Sequence, residues 1–156
     1  MIFRRKKRLE ENLDSKTLNI GGKEYEIVYA HNGYYVLRDG FDCFLKVGKK
    51  LVPLEKMPTI FYLPDGLVAA LERHEVENNK VRKSYEIYIA IGNEVRKKEV
   101  RTHFDLKDIG TYVKGMLLSL IFTNFDRSDG FEWYYDLAED KVSISPFLTS
   151  PYKNNV

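Results

Sequence analysis

The stretch Phe104-Asp-Leu-Lys-Asp-Ile-Gly-Thr-Tyr-Val-Lys-Gly-Met-Leu-Leu-Ser-Leu-Ile-Phe-Thr-Asn124 decides the fold class. Read at a helical period, Ile109, Val113, Met116, Leu117, Leu120 and Ile121 form one apolar stripe, and Leu118 and Phe122 add burial on a second side. Asp105 stands at an N-cap position, Asp108 places negative charge in the first turn, and Phe104 can staple onto Ile109. The pattern predicts one long helix from about Leu106 to Asn124. Its Met and aromatic stripe reads as core packing, not as a cofactor box.

The flanking sequence reads as strands. Thr17 to Ile20, Glu24 to His31, Tyr34 to Arg38 and Cys43 to Val47 are short β-rich runs, punctuated by Gly21-Gly22, Asn32-Gly33 and Asp39-Gly40. Asn-Gly and Asp-Gly tolerate the positive φ of tight hairpin turns, so a meander follows. Pro53 and Pro58 precede another apolar run, Ile60 to Leu63. In residues 66–76, Leu67, Ala70 and Leu71 would line a helix face. Folding back on Asn78-Asn79, however, pairs Glu77 with Lys80, Val76 with Val81 and Glu75 with Arg82, as cross-strand pairing favours. A hairpin of 66–76 with 81–91 is therefore expected. Gly92-Asn93 then leads into a strand over 94–103, and a last hairpin joins about 131–137 to 141–147. The expected fold is α+β: antiparallel hairpins in a meander packed on one long helix. Residues 15–156 form a single domain behind a basic N-terminal arm or short helix over 1–14.

Composition bounds the function. The 156 residues suffice for one core, with 44% apolar and 31% charged residues and an aromatic set of 11 Tyr, 9 Phe and one Trp that suits strands. Lone Cys43 cannot form an internal disulfide and reads as a buried thiol in a reducing compartment. The longest apolar run, Met116 to Phe122, is far short of the ~20 residues of a membrane-crossing helix. The basic start lacks the apolar stretch of a signal peptide, so an intracellular protein with no membrane partner is expected.

Charge is unevenly placed. Arg4, Arg5, Lys6, Lys7 and Arg8 carry five of the positive charges, and removing them from the net +2 leaves −3. Within the domain, Lys80 to Arg101 holds seven basic residues against Glu86, Glu94 and Glu99, while 126–140 is acidic apart from Arg127. A positive strand region of this kind concentrates anionic partners, as a merely solubilising surface also does.

Several chemistries are excluded by pattern. Gly21-Gly22-Lys23 lacks the spacing of a phosphate-binding loop. No Gly-x-Ser-x-Gly elbow occurs. His31, His74 and His103 are scattered, and with one Cys no zinc-ligand spacing exists. What remains is Glu86. Tyr85, Ile87, Ile89 and Ile91 alternate as the core side of their strand, so Ser84, Glu86, Tyr88 and Ala90 point to the other face. A two-residue turn at Gly92-Asn93 sets Glu86 opposite Glu99, with Lys97 and Arg101 diagonal and Arg73 within reach. Two adjacent carboxylates repel unless positive charge joins them. A divalent cation, with Mg²⁺ the natural choice, held by Glu86 and Glu99 would meet that need, as would the Lys and Arg residues. Carboxylates, a hard cation and Lys97 could together hydrolyse a phosphodiester. The plain alternative is a cross-strand ion pair on an exposed face. Asp65 followed by Glu86-Ile87-Tyr88 also has the order of the restriction-endonuclease-like acid and Glu-x-Lys motif, but its third position is Tyr88. Lys97 or Lys83 could stand in spatially.

The Arg4–Arg8 cluster and the stretch Lys83-Ser-Tyr-Glu-Ile-Tyr-Ile-Ala resemble the small nucleases of filamentous (lipothrixvirus-type) viruses of hyperthermophilic archaea. The resemblance runs the length of the chain and rests on overall sequence. It implies a viral nuclease acting on linear double-stranded DNA in the cytoplasm of the host cell, with an α+β fold and an essential acid at Glu86.

Three readings follow. In the first, Glu86 is metal ligand or general base of a nuclease. Glu99 and Lys97 complete the centre, and Arg4, Arg5, Lys6, Lys7, Arg8, Arg73, Lys83 and Arg101 hold the DNA backbone. In the second, a non-catalytic module binds DNA by stacking Tyr88, Tyr34 or Tyr35 on bases. In the third, the acidic C-terminal hairpin of an assembly protein meets a basic partner, with a homodimer joined at a sheet edge as its sign.

Overall fold

The chain is described by a computed structural model covering residues 10–12 and 16–146. Every regular element among these residues is a strand. In order they are β1 (Glu10–Asn12), β2 (Thr17–Ile20), β3 (Lys23–His31), β4 (Tyr34–Asp39), β5 (Asp42–Val47), β6 (Lys50–Leu54), β7 (Thr59–Leu63), β8 (Gly66–Glu77), β9 (Lys80–Ile91), β10 (Glu94–Thr102), β11 (Asp105–Val113), β12 (Leu117–Thr123), β13 (Gly130–Asp136) and β14 (Lys141–Pro146). They form three antiparallel meanders: a first sheet β1 to β6, a middle sheet β10-β9-β8-β7, and a third sheet β11 to β14.

The α+β expectation is thereby corrected to an all-β fold, and the long helix over 106–124 is replaced by the hairpin β11–β12. The helical stripe and the strand alternation overlap in this stretch, and tertiary burial chooses between them. Leu118, Leu120 and Phe122 are fully buried at alternate positions, whereas Val113 and Met116 of the supposed stripe are exposed. Local chemistry agrees with the strands. Gly115 adopts φ +74°, a left-handed conformation that turns the chain after Lys114. Ile109, Thr111, Tyr112, Val113, Ile121 and Thr123 are β-branched or aromatic. The register of β11 on β12 shifts between Leu106 and Asp108 and again between Ile109 and Tyr112. Gly110 lies within the second irregularity. A Cβ there would stand 2.5 Å from Glu132 Oε2 and 2.6 Å from Ser119 Oγ. Gly110→Ala is thus expected to destabilise by about 1–3 kcal/mol through overpacking. A helix would instead gain roughly 1 kcal/mol from the same change, so the sign measured by urea denaturation separates the two folds.

The hairpins are where turn chemistry placed them. Asn78 and Asn79 both take positive φ, 52° and 63°, and the two-residue turn pairs Glu77 with Lys80, Val76 with Val81 and Glu75 with Arg82. Gly92 at φ 61° leads into β10. The β13–β14 hairpin closes the third sheet with Asp136 opposite Lys141. Of the segment 1–14, residues 10–12 are a strand paired with 17–19 and not part of a helix, and Arg4 to Arg8 lie outside the described residues. No helix among the described residues is long and apolar enough to cross a membrane.

The sheets stack in three layers. Leu63, Val68, Ala70, Tyr85, Ile87, Ile89 and Val100 of the middle sheet pack against Leu118, Leu120, Phe122, Trp133 and Tyr135 of the third. On its other face, Leu67, Ala69, Leu71, Tyr88 and Ala90 pack against Tyr34, Val36, Leu45, Val47 and Leu54 of the first. The expectation that β9 has one core face and one free face is therefore corrected. A strand covered on both sides buries both its odd and its even residues. Polar pins join the layers at one end. His31 Nε2 lies 2.7 Å from the Leu63 carbonyl oxygen. Tyr34 donates to the Gly92 carbonyl at 3.0 Å. Tyr112 donates to Asp65, and burial together with that bond pushes the Tyr112 phenol up to about 12. Cys43 is free and buried.

Candidate functional site around Glu86

Strand pairing sets three rows of side chains across one face of the middle sheet. Arg73, Ser84 and Arg101 form the first, Leu71, Glu86 and Glu99 the second, and Ala69, Tyr88 and Lys97 the third. Directly opposed residues share a face, so this is the side turned toward the first sheet. Tyr88 and Ala90 continue into that interface, and Glu86 lies at its rim.

Glu86 is 8% exposed and is the one buried carboxylate among the described residues. Its Oε2 accepts a hydrogen bond from Arg73 Nη2 at 2.9 Å and faces Lys97 Nζ at 3.4 Å. Its Oε1 faces the Tyr88 hydroxyl at 3.4 Å. A buried carboxylate needs this compensation, since an unpaired one would cost several kcal/mol. Tyr88 and then Glu86 hold the Lys97 ammonium above its ordinary value, and Nζ lies 5.6 Å from the Tyr88 ring centroid. Arg73 Nη2 also binds Glu55, an exposed acid following β6 of the first sheet. Ser84, only 2% exposed, and Arg73 each hold a buried polar atom, Oγ and Nε, with no hydrogen-bond partner.

The register places Glu99 directly opposite Glu86, and Lys97 diagonal to it. Glu99 nevertheless turns outward, its carboxylate half exposed and 3.9 Å from Arg101 Nε. The donor set fits a resident Mg²⁺ poorly. Each carboxylate is already engaged by cations, a hard cation asks for about six oxygens, and no third His, Cys, Asp or Glu groups with them among the described residues.

Of the cationic residues expected on this face, Arg73 and Arg101 are present and Lys83 is not. Lys83 has the opposite strand parity to Glu86, and it pairs with Asp105 and lies 3.9 Å from Glu72. It therefore cannot stand in for the missing motif lysine, whereas Lys97 does reach Glu86. Asp65 is also removed from the site. It lies beside the Gly66–Ile91 end of the β8–β9 pair, about 17 Å from Glu86 at ~3.4 Å per residue. Ser84 and Glu55 are additions. Ser84 could be found by extending the cross-strand arithmetic one row, while Glu55 arrives from another sheet and carries no sequence signal.

The other face of β10 explains where the acidic C-terminal region finds its counter-charge. Arg96 donates to the Tyr135 hydroxyl at 3.0 Å and to the Leu137 carbonyl at 2.5 Å. Lys98 bonds Asp140 at 2.7 Å and, with Tyr135, holds that carboxyl below the usual carboxylate range. A cleft of about 400 Å³ lies along Arg96, Lys98, Leu137 and Asp140. The basic strand and the acidic hairpin thus meet within one chain. No protein-family profile, curated protein or solved structure matches this sequence.

Proposed function

We propose that the protein is a nuclease that hydrolyses phosphodiester bonds of linear double-stranded DNA at the Glu86 face. The observation that carries this reading is the buried Glu86 carboxylate, set between Arg73 and Lys97 and beside the Arg73–Ser84–Arg101 row. A buried carboxylate with cations on one side and a less engaged oxygen on the other is suited to general-base work. A phosphodiester drawn onto Arg73 and Lys97 would loosen the hold of both cations on Glu86 Oε2, leaving the carboxylate a stronger base to take a proton from water. The water oxygen bonds to phosphorus while the bond to the leaving sugar oxygen breaks. Lys97 donates a proton to that leaving oxygen, and Arg73 stabilises the charge on the non-bridging oxygens. The resemblance to the archaeal-virus nucleases names the same acid. Its α+β expectation is not met by the all-β chain, so the weight rests on the residues.

Linear duplex DNA incubated with the protein should be cut, and Glu86→Gln should slow cutting by about 100-fold or more. Chelator should leave the wild-type rate unchanged; if chelator abolishes cutting, the metal-free mechanism falls. Intact DNA in every lane would remove the nuclease reading. The pairing of Glu86 Oε2 by both Arg73 and Lys97 favours one second reading, a non-catalytic module that holds the DNA backbone through Arg73, Lys97 and Arg101. Its signature is duplex bound but uncut, with affinity falling steeply as salt rises.

A further inference from the structure

We infer that Arg73, Ser84 and Arg101 form a seat for one tetrahedral oxyanion of the phosphate type, and that Glu55 is its displaceable internal occupant. Buried polar groups are almost always satisfied, so two orphaned ones on directly opposed residues call for an explanation. The Ser84 hydroxyl and the Arg73 Nε–H are both donors, both closed off, and both without a partner. A phosphate group carries acceptor oxygens enough for both. Arg101 flanks Ser84 on the other strand, its side chain 61% exposed. A serine between two arginines on a rigid sheet offers hydroxyl and guanidinium donors, the groups that recognise phosphate oxygens best.

The electrostatic objection is Glu86, which shares Arg73 and would repel an incoming anion. Glu55 answers it. Its carboxylate already rests on Arg73 Nη2, and its side chain is 64% exposed. A singly charged phosphate group, such as a phosphodiester, that replaces Glu55 exchanges one negative charge for another, so the field at Glu86 is little changed. The swing of this exposed acid also frees Arg73 Nη2 for the incoming anion.

This inference rests on reading the Glu86 face as one that handles phosphate, and it is tested apart from cleavage. Titration of the whole chain with inorganic phosphate, followed by the amide signals of residues 73, 84 and 101, should show saturable binding. Ser84→Ala should weaken it about 10-fold, as loss of a hydrogen bond to a charged group does. Arg101→Gln, a change at an exposed position, should weaken it as well. Glu55→Gln should tighten it several-fold. Ser84→Ala should melt no lower than wild type, because it removes a hydroxyl that lacks a partner.

Phosphate affinity unmoved by Ser84→Ala and Arg101→Gln, weakened by Glu55→Gln, or absent from the wild-type protein would overturn the seat. A short DNA duplex that displaces phosphate identifies the ligand as nucleic-acid backbone; phosphate bound without such competition identifies free phosphate. Phosphate bound at the seat with duplex DNA left intact would remove the nuclease and keep the seat.

Discussion

Trp133→Ala is expected to destabilise the protein by about 3–5 kcal/mol, the cost of deleting a large aromatic side chain from a packed core. Trp133 is 2% exposed, lies on β13 opposite Leu120, and stacks on Tyr135 with centroids 6.0 Å apart. It belongs to the layer between the middle and third sheets, where Ile87, Ile89, Leu118 and Phe122 are also buried. The sheets on either side close over it, so the vacated volume cannot collapse cheaply. Against a typical total of about 5–15 kcal/mol, such a loss leaves the chain near its unfolding threshold. Urea denaturation of the variant measures it. A shift below about 1 kcal/mol would show that the two sheets do not pack through this residue.

Arg73→Met is the second large effect, expected at about 1–3 kcal/mol. Removing one partner of a buried ion pair leaves the other uncompensated, which costs about 3–5 kcal/mol in a sealed core. That figure is discounted here because the Arg73 side chain is 34% exposed and Lys97 remains 3.4 Å from Glu86. The double variant Arg73→Met, Glu86→Leu should recover most of the loss, since no charge is then stranded beside Leu71 and Tyr88. A double variant as unstable as the single one would mean that Arg73 acts by packing its stem, independently of Glu86. The same double variant should fail to cut DNA, which separates the fold's use of the pair from its proposed chemistry.

Much of the fold was legible because hairpins are local. Asn78-Asn79 and Gly92-Asn93 specify their turns through backbone conformation, and register then follows along β8, β9 and β10 to set Glu99 opposite Glu86. The error over 106–124 has an equally definite cause. In this stretch helical and strand periodicities both bring Ile109, Leu120 and Phe122 to a buried side, and Lys114-Gly115 is a weaker punctuation mark than Asn-Gly. Only the sheet waiting across the gap, with Ile87 and Ile89 on its surface, selects the alternating set. The strand parity of Lys83 separates it from Glu86 within the sequence itself.

The sequence by itself determined the turns on either side of β9, the pairing of β8, β9 and β10, and the face on which Glu86, Arg73, Lys97 and Arg101 meet, because each depends on residues close along the chain. The tertiary structure alone decided that the middle sheet is covered on both faces, that Glu86 is buried rather than displayed, and that Glu55 reaches Arg73 from another sheet. Those outcomes depend on which sheet lies over which, and stacking is governed by the summed burial of three layers, a quantity no local pattern of residues carries.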